Sequence, residues 1–174
     1  MAARTIHKYG KVIINDISAG ELDPLIVDVV AEHDVPYVAM HMKGDPRTMQ
    51  SMTDYRDIVA EVVDYFRERT AQLRERGVRR IVVDPGFGFA KTLEQNYELL
   101  RGLHSLAELG YPVLAGVSRK SMIYKLLGTT PAEALNGTTA LHWECLRQGA
   151  VILRAHDTRE AVEVVRMFDQ FMQA

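Results

Sequence analysis

Five apolar runs in this sequence end in polar residues that a buried strand does not need. "KVIIN" (11–15) ends in Asn15 and leads to Asp16, "PYVAMH" (36–41) ends in His41, and "RRIVVD" (79–84) ends in Asp84. "PVLAGVS" (112–118) ends in Ser118 before Arg119 and Lys120, and "AVILRAH" (150–156) carries Arg154 and His156 ahead of Asp157. One such residue alone reads as a helix cap or a satisfied polar group. The same placement at five strand ends reads as a ligand edge. Asp84 offers two acceptor oxygens, and the "PGFGF" that follows supplies Gly86 and Gly88, which let backbone pass close to a flat ligand, together with Phe87 and Phe89. A heterocycle with adjacent N–H donors suits that acid. Two phosphate-binding glycine loops are excluded. Lys91 stands where a dinucleotide fingerprint needs its third glycine, and the P-loop pattern fails at Ala90. Asp16 and Asp157 precede helical stretches and read equally well as caps. His7, His33, His104 and His142 read as surface or packing histidines.

The elements that must position these residues follow one grammar. Each apolar run precedes a stretch of helical period: 22–33, 52–76, 93–109, 131–148 and 159–172. In the second stretch Ile58, Val62, Val63 and Phe66 form an apolar stripe, and "RERTAQLRER" is its solvated face. Gly77, Gly110 and Gly149 stand just past three of the helices, where a left-handed residue ends a helix well. Apolar strands joined by helical crossovers predict a parallel sheet covered by helices. In such folds ligands gather at the strand C-termini, because loops and helix N-termini converge there.

Composition excludes several function classes. The 174 residues, 47% hydrophobic and 25% charged, suit a single soluble domain spanning 1–174. A net charge of -2 gives no broad basic field for nucleic acid, so a small anionic ligand is the better expectation. Cys145 is the only cysteine, which excludes an intrachain disulfide and multi-cysteine zinc sites and suits a reducing cytoplasm. No apolar run approaches the roughly 20 residues that span a bilayer, and "MAARTIHKYG" lacks the apolar stretch of a signal peptide.

Taken together, "IINDIS" (13–18), "MHMKGDPRTMQ" (40–50), "DPGFGFAKTLEQNYELL" (84–100), "GVSRKSMI" (116–123) and "ILRAHD" (152–157) resemble, in order, the signatures of the dihydropteroate synthase family. The S-R-K and R-x-H pieces separate the chain from the related pterin-binding corrinoid methyltransferases. The resemblance implies an α/β fold, a TIM (β/α)8 barrel of which this chain holds about five of eight units, the fourth to the eighth, so that an N-terminally truncated barrel is expected. It implies condensation of 6-hydroxymethyl-7,8-dihydropterin diphosphate with 4-aminobenzoate to give 7,8-dihydropteroate and diphosphate. Asp84 and Asn15 would then read the pterin ring edge, Lys120 would donate to the ring carbonyl and a ring nitrogen, and Gly88 and Phe89 would border the slot. Ser118 and Arg119 would place aminobenzoate, and Arg154 and His156 would hold the diphosphate, with Lys120, Arg154 and His156 as the catalytic set. Magnesium is implied as cofactor, its protein ligand lying in the first strand that this chain lacks. Expected partners are therefore these two small molecules, with neither nucleic acid nor membrane. A homo-oligomer is expected from the open sheet edges. The rival readings are a truncated fragment that binds pterin without turnover and an unrelated open-sheet nucleotide binder.

Overall fold

β-branched and aromatic residues set the strands, and each strand stops where the polar residues begin. The structure, a computed structural model, describes residues 2–10, 12–44 and 52–173. In chain order these form α1 (Ala2–Tyr9), β1 (Ile14–Asp16), α2 (Leu25–His33), β2 (Tyr37–Met40), α3 (Ile58–Glu75), β3 (Ile81–Asp84) and α4 (Leu93–Arg101). Then come α5 (His104–Ala107), β4 (Leu114–Ala115), α6 (Ser121–Leu127), a 3-10 turn (Pro131–Glu133), α7 (Leu135–Arg147), β5 (Ile152–Leu153) and α8 (Thr158–Gln173).

All five expected strands form, β4 and β5 as two-residue pieces. The helix expected over 52–76 starts at Ile58, because Asp57 caps it by accepting from the Ala60 N–H. The helix expected over 93–109 is two, separated at Gly102. Helices α1 and α6 are additional to those that periodicity predicts, both too short to show it. Lys11 of the first run, and residues 45–50 of the signature at 40–50, lie outside the described residues. Gly77, Gly110 and Gly149 take positive φ, as helix-ending residues should.

The sheet is parallel throughout, in sequence order. β1 pairs with β2 from Ile14↔Tyr37 to Asp16↔Ala39, and β2 with β3 from Tyr37↔Ile81 to Met40↔Asp84. β4 pairs with β5 at Leu114↔Ile152. One parallel bridge, Val83↔Val113, joins the two ladders. Among the described strands no barrel closes, and β1 and β5 each keep an unpaired edge.

Alternation along the strands sorts the side chains into two sets. Tyr37, Ala39, Ile81 and Val83 face the helices and join Val62, Phe66, Leu99 and Leu106 in the main core. Val38, Val82 and Leu114 form a small separate cluster on the opposite face. In register with that second set come Asn15, Met40, Asp84 and Arg154, so the strands carry these four to one side. Asp16 falls on the helix side, where it accepts from the Ser18 N–H at 2.9 Å, the Gly20 N–H at 2.7 Å and the Tyr37 hydroxyl at 2.7 Å. It is a loop-closing residue.

Close packing of α6 on α7 fixes the element that follows Lys120. Gly137 lies inside α7, and a Cβ there would collide with Ile123 of α6. Glycine to alanine in a helix ordinarily stabilises by about 0.8–1.0 kcal/mol. Overpacking costs about 1–3 kcal/mol and wins here. Gly137→Ala is therefore expected to lower the unfolding midpoint in urea, the reverse of the propensity effect; a raised midpoint would contradict the packing.

Candidate active site

The site is organised around one buried acid. Asp84 is fully buried at the end of β3, and its Oδ1 accepts the Gly86 N–H at 2.8 Å. Gly86 has φ +68°, and a Cβ there would strike the His41 carbonyl oxygen, so only glycine turns the chain back in this way. Arg154 Nη1 lies 2.9 Å from Asp84 Oδ2. That oxygen has the guanidinium as ion-pair partner but no donor in hydrogen-bonding alignment. The same Nη1 donates to Asn15 Oδ1 at 3.0 Å. Beneath the guanidinium is Gly116, where a Cβ would come within 2.5 Å of Nη2 and 3.0 Å of Cζ. One side chain thus ties together the ends of β1, β3 and β5. Burial raises the Asp84 pKa above the usual carboxylate value, against the lowering charges of Arg154 and Lys120 and the Gly86 N–H.

The loop after Asp84 is held from below. Lys91 is buried, and its Nζ donates to the carbonyls of Gly86 at 3.1 Å and Phe89 at 2.9 Å, with His41 Nδ1 at 3.2 Å. His41 is kept neutral by burial and then by the charges of Lys91 and Lys43, so Nδ1 acts as acceptor. Asn96, buried on α4, accepts the Gly88 N–H at 2.7 Å and donates to the Thr92 carbonyl at 2.6 Å. Thr92 and Gln95 form a reciprocal capping box that fixes where α4 begins. Phe89 is thereby held at the mouth, with Lys120 Nζ 4.4 Å from its ring centre.

A second strut joins β4 to β5. Ser118 is buried, and its Oγ accepts the His156 backbone N–H at 3.1 Å while lying 3.0 Å from His156 Nδ1. Ser118 Oγ thus holds both the backbone and the ring of His156, which lines the pocket. Arg119 does not reach the pocket, contrary to its expected place beside aminobenzoate. Its guanidinium forks onto Asp157 at 2.9 and 2.7 Å and donates to the carbonyls of Pro131 at 2.9 Å and Ala132 at 2.8 Å. Its backbone sits at φ +53°, a left-handed conformation costing on the order of 1–2 kcal/mol. Asp157 is accordingly the partner of Arg119.

These struts surround a cavity of about 370 Å³ lined by Asn15, Ile17, Met40, Phe89, Gly116, Ser118, Lys120, Arg154, Ala155 and His156. Six of the sequence-derived residues meet there. Gly88 stands just behind, its Cα against the Lys120 stem, and Asp84 lies under the floor, covered by Arg154. Gly116 and Lys91 escaped sequence reasoning. A glycine inside a strand run was the available sign for Gly116.

The sequence profile described as "Pterin binding enzyme" matches residues 1–156. The chain belongs to this pterin-binding enzyme family. The dihydropteroate synthase of Synechocystis sp. is 41% identical over 170 residues, covering 96% of this chain and 59% of its own length. The dihydropteroate synthase of Thermus thermophilus in complex with 6HMPPP superposes with a TM-score of 0.90 at 39% identity, over 97% of this chain and 67% of that one. The same enzyme with 4-aminobenzoate gives 0.92 at 38% identity, over 97% and 69%. The chain spans about three fifths of the curated relative's length.

Among the described residues no three carboxylate, imidazole or thiolate groups converge, and the pocket lining carries Lys120, Arg154 and His156 but no carboxylate, the oxygen ligand through which magnesium is usually held. These residues by themselves do not fit the implied magnesium.

Burial lowers the Lys91 pKa to about 7, opposed by Asp84 and reinforced by Lys120 and Lys43. A base whose pKa falls on folding binds its proton more weakly in the native state. Stability therefore rises with pH between about 7 and the unfolded lysine value of about 10.4, and is flat with respect to this group below that window. The unfolding free energy of the protein relative to Lys91→Met is expected to climb across that window, by at most about 1.4 kcal/mol per pH unit. A pH-independent difference in urea unfolding would contradict a depressed Lys91.

Proposed function

We propose that this chain supplies the pterin- and diphosphate-binding part of a dihydropteroate synthase, as five of the eight units of a (β/α)8 barrel. The observation that carries the reading is Asp84, buried beneath Arg154 at the floor of a pocket lined also by Lys120 and His156. Support also comes from the relatives solved with 6HMPPP and with 4-aminobenzoate. In this reading Asp84 accepts from the ring N–H and 2-amino group, a charge-assisted contact. Asn15 and Lys120 take further ring atoms. Phe89 and Gly88 border the slot, and Ser118 positions His156. The bond between the pterin methylene and the diphosphate oxygen breaks, and the electron pair leaves on diphosphate. Arg154 and His156 stabilise that charge. The aminobenzoate amine bonds to the methylene and releases a proton.

A second reading, pterin binding without turnover by these residues alone, is favoured by the exposure of the anion-binding groups. Arg154 is 41% exposed, and attraction to a diphosphate in water is weak. Self-association is also proposed, through the free edges of β1 and β5 and the exposed Met167, Phe171 and Met172 of α8. No helix among the described residues is long and apolar enough to cross a membrane, and we assign the cytoplasm.

The test is calorimetric titration of 6-hydroxymethyl-7,8-dihydropterin diphosphate into the protein and into Asp84→Ala. Loss of a charged hydrogen-bond partner costs about 1.5–3 kcal/mol, so affinity should fall by roughly 10- to 150-fold. Equal affinity in the two proteins would remove Asp84 from the site.

A further inference from the structure

In the free protein Arg154 already occupies the place in which the ring donors would sit. Its guanidinium is a flat unit of three nitrogens around one carbon, laid on Gly116, with Nη1 2.9 Å from Asp84 Oδ2 and 3.0 Å from Asn15 Oδ1. The N1, C2, N3–H and 2-amino group of a pterin are likewise three nitrogens around one carbon, a cyclic guanidine that presents two adjacent donors. Gly116 is fitted to this occupant, since a Cβ there would come within 2.5 Å of Nη2.

Resting on the proposed function, we infer that Arg154 is a specificity-determining residue that holds the ring slot and surrenders it only to a ligand carrying its own anion. A bare pterin alcohol must displace the guanidinium from Asp84 and leave it without an acid partner beside Lys120, whose positive charge opposes it. The diphosphate ester removes that penalty. Arg154 is 41% exposed and lines the same cavity as His156, so it swings toward the mouth and pairs there with the phosphates. Binding energy from the diphosphate is thereby used to free Asp84, and selection for the ester over the alcohol exceeds what its phosphate contacts alone supply.

The experiment compares 6-hydroxymethyl-7,8-dihydropterin and its diphosphate ester on the protein and on Arg154→Met, by calorimetry at pH 8. Both proteins are titrated at this one pH, because burial raises the Asp84 pKa and the charges of Arg154, Lys91 and Lys120 interact with it. Arg154→Met should bind the bare alcohol about tenfold more tightly and the ester more weakly, a tenfold change being about 1.4 kcal/mol. A measurement on the unaltered protein stands beside it should the variant fail to fold: saturating inorganic diphosphate should tighten the bare alcohol several-fold by drawing Arg154 off Asp84. Weaker or unchanged binding of the alcohol by folded Arg154→Met, or no effect of diphosphate on the unaltered protein, would overturn the gate while leaving the pterin site in place. Failure of the unaltered protein to bind either ligand would overturn the functional reading and the gate with it.

Discussion

A carboxylate with no exposed surface must find compensating charge, or it protonates. Asp84 is that carboxylate, and its compensation comes from the Gly86 N–H two residues on and from Arg154 on the last strand. The first partner dictates the tight left-handed turn after β3. The second draws the end of β5 across the sheet to β3 and, through Asn15, to β1. An acid whose charge partner comes from another strand end is also an acid that can recognise a ligand there. In the proposed function, the same unmet demand that shapes the fold supplies the binding energy.

Everything around this pair keeps it in place without competing for it. Lys91 and Asn96 hold the 86–89 turn by its carbonyls and by the Gly88 N–H, on the side away from the pocket. The Arg119–Asp157 fork and the Ser118–His156 contact join the loops after β4 and β5. That division leaves Lys120 and His156 facing the cavity, while the two-point ion pair of Arg119 with Asp157 joins loops. A pterin-binding enzyme needs this separation, because a guanidinium already forked onto a carboxylate is a poor ligand for a second anion.

The parts legible in the sequence were those that depend on strand position alone. Asn15, Asp84, Ser118, Arg154 and His156 each end an apolar run, and parallel register then brings such ends to one edge whatever the side chains do. Gly86 and Gly88 were legible as close-approach glycines, and α4 announced its start in "TLEQ". Direction was not legible. Arg119 sits between two pocket residues in sequence, yet its left-handed backbone turns it toward Asp157. Lys91 looked like a failed phosphate motif, and only its burial among carbonyls identifies it as a clamp. Asp16 and Asp157 read as caps or ligands with equal ease, because a carboxylate one residue past a strand can face either side. The contact between Arg154 and Asp84 joins residues 70 positions apart, and no local pattern encodes it.

The central claim is that the acid at the floor of the pocket exchanges Arg154 for a pterin ring. The most direct measurement is a crystal structure of this protein soaked with 6-hydroxymethyl-7,8-dihydropterin diphosphate. The account predicts the ring N–H and 2-amino group on the Asp84 carboxylate, and the Arg154 guanidinium moved off it and onto the phosphates beside His156. A bound ester with Arg154 still on Asp84, and the ring held elsewhere, would contradict it.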